Sequence, residues 1–128
     1  MCDMSMARTS LATRFEQSIT LNALRSYIAE FISTFFYVFA VVGSTMSSHA
    51  SSDPSSLVVI AITNAFTLAS AVFIAANISG GHVNLAVTFG MAVGGHISVP
   101  TVLFYWLSQM LASIIVCVVL KVTIIGQV

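Results

Sequence analysis

Charge is what this sequence of 128 residues has least of. Lys, Arg, Asp and Glu together make up 6% of it, against roughly 25% in a soluble domain. Between Asp53 and Lys121 there is none at all, so that stretch has almost nothing to cover a water-facing surface. An integral membrane protein is the class this leaves. The formal net charge is zero, so no basic field points to nucleic acid as a partner. Cysteine is equally scarce. Cys2 and Cys117 stand near opposite ends of the chain, no Cys/His cluster has ligand spacing, and neither a disulfide framework nor a metal or other cofactor is expected. A small membrane enzyme fits poorly too, because Glu30 and Asp53 lie at different depths and no nucleophile–base pair is visible.

What is present is apolar, at 58% of the chain. Crossing the hydrocarbon takes about 20 mostly apolar residues. Three stretches qualify: about 27–46, with Glu30 inside it, about 56–77, and about 100–122. Pro100 opens the last, where its missing N–H is tolerated in a first helical turn. The serine-rich "SSHASSDPSS" after the first span reads as an exposed turn. Arg8, Arg14 and Arg25 precede the first span and Lys121 is the only later base, so the N-terminus is expected in the cytoplasm. Residues 1–23 are expected to form a cytoplasmic tail, without the apolar core of a signal peptide.

A fourth apolar piece, about 83–95 ("VNLAVTFGMAVGG"), is too short to cross. Composition alone leaves open whether it dips into the bilayer or rests on its surface. The residues before it favour a special role. Gly80 and Gly81 allow tight backbone turns, and an extended "SGGHV" would present carbonyl acceptors. Asn84 would begin a half-helix whose orphan N–H groups make a positive end. Such a site offers a passing water both acceptors and donors while disfavouring cations. Gly90 and Gly94 are spaced for close helix packing, as are Ala61, Ala65 and Ala69. His82 reads as a residue that fixes the loop, and Gln109 as one that bonds across helices. Cys117 reads as a small packing residue in an apolar run.

The stretches "AEFISTFF", "ANISGGHVN-AVTFG" and "FYWLSQMLAS", followed by Cys117 and "LK", resemble the major intrinsic proteins, or aquaporins. Among them the plant tonoplast intrinsic proteins are the most similar, and the serine loop with Asn64 resembles their divergent fifth subgroup. The resemblance runs from about Leu21 to Val122, the first half of a full-length member. It implies an all-α membrane protein: three transmembrane helices plus one re-entrant half-helix, a single aquaporin-like repeat over 24–128. The implied function is a passive channel for water or small neutral solutes such as glycerol and urea, in a vacuolar membrane, with the lipid bilayer around it. The family also implies a tetramer, here a homo- or hetero-oligomer with full-length aquaporin-type subunits.

Residue by residue, the resemblance makes Asn84, Leu85 and Ala86 the pore motif and Gly80, Gly81, His82 and Val83 the source of pore-lining carbonyls. Asn64 takes a selectivity-filter position, where many tonoplast members carry histidine; the other reading of Asn64 is an amide bonding between helices. Glu30 would support the re-entrant loop by accepting hydrogen bonds from its backbone, or else snorkel near the interface. Cys117 corresponds to a possible mercury-sensitive thiol. Two departures follow. Leu85 stands where the family has proline, so altered conduction is expected rather than a lost fold. No second Asn-Pro-Ala or filter arginine occurs in these 128 residues, so alone they are expected not to conduct. The alternative is a non-conducting membrane protein that modulates full-length relatives.

Overall fold

The computed structural model describes residues 12–51 and 55–125; Cys2, Arg8 and Asp53 lie outside them. Regular structure among the described residues is entirely helical. The four longer helices are α1 (Leu21–Ser51), α2 (Ser56–Ser79), α3 (Leu85–Val93) and α4 (Val99–Ile125). A short helical stretch over residues 12–17 precedes them. At about 1.5 Å per residue, α1, α2 and α4 each exceed the roughly 30 Å of a bilayer core. All three are long and apolar enough to cross a membrane. The nine residues of α3 reach only about 14 Å, half that thickness.

Two boundaries differ from the sequence expectation. Helix α1 continues through Ser51, so "SSHAS" is helix rather than turn. Serine and histidine cost a propagating helix well under 1 kcal/mol each, and no strong breaker precedes Pro54. At the other end, residues 15–20 are docked rather than trailing free. The Tyr27 hydroxyl donates to the Ser18 carbonyl at 2.6 Å, Ser18 Oγ lies 3.4 Å from Thr101 Oγ1, and Phe15 meets Phe104.

Helix α1 is the shared wall, packing along α2 on one side and α4 on the other. The face α4 turns inward is Val102, Tyr105, Gln109, Ala112, Val116 and Leu120, all buried and spaced three or four apart, as one helical stripe must be. Helix α2 buries Ala71 and Ala75, small side chains that let two backbones approach. The stripe expected to do this, Ala61, Ala65 and Ala69, faces outward. It lies about 100° round the helix, one residue's rotation, from the face carrying Asn64, Ala71 and Ala75. Large apolar side chains such as Phe66, Phe73 and Val122 point away from the protein, which suits a lipid surround.

Candidate functional site

The chain leaves α2 by a reversal that only glycine makes easily. Gly80 caps the helix in the left-handed region (φ 94°), its N–H returning to the Ala76 carbonyl. The last carbonyls of α2 are covered from both neighbours: Ser26 Oγ donates to Ile78 O and the Tyr105 hydroxyl to Ser79 O, each at 2.8 Å. Gly81 is also left-handed (φ 65°) and so close to α2 that a Cβ would stand 2.7 Å from the Val72 carbonyl.

The chain then climbs. Ile78 is level with Ser26, whereas the Val83 carbonyl accepts from Thr34 Oγ1 at 3.4 Å. Ser26 and Thr34 are eight residues apart on α1, about 12 Å of helix. Thr34 lies thirteen residues into α1, roughly 20 Å. The segment therefore rises to a level near the middle of α1 before α3 carries it back.

Glu30 holds the dip. It is fully buried and accepts four hydrogen bonds. Oε1 takes Ser79 Oγ at 2.6 Å and the His82 N–H at 2.8 Å; Oε2 takes the Val83 N–H at 2.7 Å and Gln109 Nε2 at 2.9 Å. Burying a carboxylate without a cation is tolerable only when its lone pairs are satisfied in this way. The network extends through Thr88, which donates to the Asn84 carbonyl and accepts from Gln109 Nε2 at 3.0 Å. With its single proton spent, Thr88 Oγ1 receives the His82 ring through Nδ1 at 3.1 Å. Gln109 Oε1 is buried without a partner; turning the amide over would set that oxygen against the carboxylate. Val83 carries the cost of the arrangement. It is a β-branched residue at φ 56°, where about 1–3 kcal/mol of strain is usual.

Asn84 caps α3: its Oδ1 accepts the Ala86 N–H at 2.8 Å, leaving its NH2 pointing away from the helix's own donors. The N–H groups of Leu85 and Val87 have no acceptor among the described residues, and neither do the carbonyls of Gly80, Gly81 and His82 have a donor. The Val83 carbonyl is the exception, since Thr34 reaches it. One short segment thus displays three free acceptors beside the positive end of a helix.

Leu85 occupies a place that proline could fill. Its N–H bonds to nothing described, and Asn84 already has the extended backbone (φ −144°, ψ 135°) that a residue before proline requires. Its carbonyl accepts from Trp106 Nε1 at 3.1 Å, a bond that does not depend on the side chain. Leu85→Pro is therefore expected to leave the fold intact and to be neutral or stabilising by up to about 1 kcal/mol. Denaturant titration followed by circular dichroism checks this; a loss above 2 kcal/mol would mean that the backbone here is not poised for proline.

The other expected site residues are dispersed. Asn64 lies on the α1–α2 seam, where its Oδ1 accepts from the Tyr37 hydroxyl at 3.1 Å; it is fifteen residues, roughly 22 Å, from the end of α2. Cys117 is exposed on α4, beside Ser113 and Lys121 in a shallow apolar hollow. The close packing expected of Gly90 and Gly94 does not occur among the described residues: a Cβ at Gly90 would meet nothing within 4 Å, and one at Gly94 would meet only its own turn, at His96 and Gly90 O. Sequence reading passed over Ser26, Thr34, Ser79, Thr88, Tyr105 and Trp106. The available signal was a hydroxyl or indole N–H in an apolar span, which must find a partner.

Residues 17–128 match the sequence profile of the family described as Major intrinsic protein. The chain is 54% identical over 127 residues to "Probable aquaporin TIP5-1" of Arabidopsis thaliana, covering 95% of this chain and 50% of that protein. It is 56% identical over 123 residues to "Probable aquaporin TIP5-1" of Oryza sativa subsp. japonica, covering 92% and 46%. "Aquaporin TIP2-1" of Arabidopsis thaliana is 54% identical over 112 residues, covering 84% and 45%. The chain spans about half the length of the curated relatives it matches.

Proposed function

The chain belongs to the major intrinsic protein family, and on that premise we propose that it supplies one half of a passive transmembrane channel for water or small neutral solutes such as glycerol and urea. The observation that carries this reading is the dip itself: the free carbonyls of Gly80, Gly81 and His82 beside the uncapped N–H groups of α3, held against the middle of α1 by Glu30. A water molecule moving along such a segment trades one hydrogen bond for the next, while the helix's positive end opposes cations. No covalent step is involved, and the relatives are aquaporins by name.

The residues divide the work as follows. Asn84 offers its NH2 at the constriction, since its oxygen is committed to the cap. The carbonyls of Gly80, Gly81 and His82 accept, while Val83 and Glu30 hold the ladder in place. Asn64 serves in the filter and presents its NH2, because Tyr37 occupies its oxygen. Cys117 is the thiol on which mercury would act. The apolar face of α3, with Val87, Phe89 and Val93 exposed and Gly90 open, takes the second, inverted repeat. The assembled channel is a tetramer in the vacuolar membrane, with the Arg-bearing N-terminus in the cytoplasm.

The test is osmotic. Joined to the half of the Arabidopsis thaliana "Probable aquaporin TIP5-1" that this chain does not match, the 128 residues are expected to shrink vesicles several-fold faster than lipid alone; by themselves they are expected to match lipid. A joined protein that inserts fully yet passes no more water than bare vesicles would refute the channel reading.

A further inference from the structure

One cavity among the described residues lies outside the dip. It is a groove of about 640 Å³ between the start of α1 and the end of α2. At its mouth stand Asn22, Arg25 and Asn77, all exposed, and no side chain of the three has a hydrogen-bond or ionic partner among the described residues. Ile28, Ile32 and Ile78, each about half exposed, make its apolar wall. Between the two helices Ser26 Oγ donates to the Ile78 carbonyl. On the α1 side the lining passes from polar to apolar along the helix. From Arg25 to Ile32 is seven residues, about 10 Å, the step from headgroup level into the acyl region.

We propose that this groove is a binding site for one anionic phospholipid, with its phosphate on Arg25 and the Asn22 and Asn77 amides and an acyl chain along Ile28, Ile32 and Ile78. Basic pockets between transmembrane helices are a recurrent form of headgroup recognition, and a guanidinium with two flanking amides matches a phosphate's acceptor oxygens. Charge favours a lipid over a second copy of the chain. The only acids among the described residues are Glu16 and Glu30, and both Glu30 oxygens are already taken. The inference is independent of the pore reading; it needs only α1 and α2 to cross a bilayer.

The 128-residue chain is placed in nanodiscs of phosphatidylcholine containing a minority of phosphatidylglycerol. Lipid retained after release is counted by native mass spectrometry. One phosphatidylglycerol is expected to stay bound in preference to phosphatidylcholine. Arg25→Gln is expected to lower its retention about fivefold, the equivalent of the ~1 kcal/mol a basic side chain gains near an anionic surface. Arg25→Lys is expected to keep most of it, and Ile32→Trp, which fills the apolar part, to lower it without touching the charge. Lys121→Gln, at the far end of α4, is expected to change nothing. Equal losses for Arg25→Gln and Lys121→Gln would reduce the effect to general surface charge and overturn the proposal. So would a dimer that shields Arg25 from modification whether or not phosphatidylglycerol is present, since a second copy would then be the occupant.

Discussion

Replacing Glu30 with glutamine is expected to cost about 1–3 kcal/mol, the cost of one buried N–H left without an acceptor. The substitution preserves shape, so the effect isolates hydrogen bonding. One oxygen survives to serve two of the four donors. The new NH2 turns toward the other two, either the Ser79 hydroxyl and His82 N–H or the Val83 N–H and the Gln109 amide; the hydroxyl or the unpartnered Gln109 Oε1 can turn to accept it, but the backbone N–H beside it is left facing a donor. Glu30→Ala is expected to be worse, because all four lose their acceptor and a cavity opens. The readout that separates this from general loosening is hydrogen exchange at His82 and Val83. Their amides are expected to exchange tens of times faster in Glu30→Gln, about tenfold per 1.4 kcal/mol, while amides in the middle of α4 change far less. Unaltered protection at these two positions would mean that the carboxylate does not hold the dip.

Gly81→Ala is the second large effect. A Cβ here must accept the left-handed backbone, at about 1–2 kcal/mol, and must also push the Val72 carbonyl away from 2.7 Å, an overlap with helix backbone that costs roughly 1–3 kcal/mol more. The sum, about 2–5 kcal/mol, is expected as a fall in unfolding free energy measured by denaturant titration. Neighbouring glycines supply the controls. At Gly80 the nearest atoms belong to the His82 ring, at 3.3 Å and 3.4 Å, which is a side chain able to yield, so Gly80→Ala is expected to cost less. At Gly90 there is open space, and alanine gains up to about 1 kcal/mol of helix propensity. If Gly81→Ala and Gly90→Ala proved equally stable, the close approach of the dip to α2 would be wrong.

Some of this was legible in the sequence and some was not, for identifiable reasons. Three spans announce themselves through length and apolarity, which are local properties. The inward face of α2 does not: Ala61, Ala65 and Ala69 form as regular a stripe as Ala71 and Ala75, and only the position of α1 decides between them. Glu30 stands out as the one acid in an apolar run. Its partners His82 and Val83 lie 52 and 53 residues away and Gln109 lies 79 away, so which bonds it makes is a tertiary matter. Two adjacent glycines signal a reversal. That Gly81 is gripped by backbone while Gly80 is not depends on the packing of α2. Leu85 was readable as a departure from the family's proline, but not the finding that Asn84 already holds the backbone a proline would need.

The wiring of the dip also fixes an order in time. Its anchors on α1 are synthesised first, yet Tyr105, Trp106 and Gln109, which secure Ser79, Leu85 and Glu30, all belong to α4. From Val83 to Gln109 the ribosome has 26 residues to add, roughly 1–5 s at ordinary rates of synthesis. Through that interval the α1–α2 hairpin exists with its carboxylate short of a donor and its reversal unclamped. Helix α4 therefore locks a segment made seconds earlier, and any factor that shelters half-made membrane proteins has its window there.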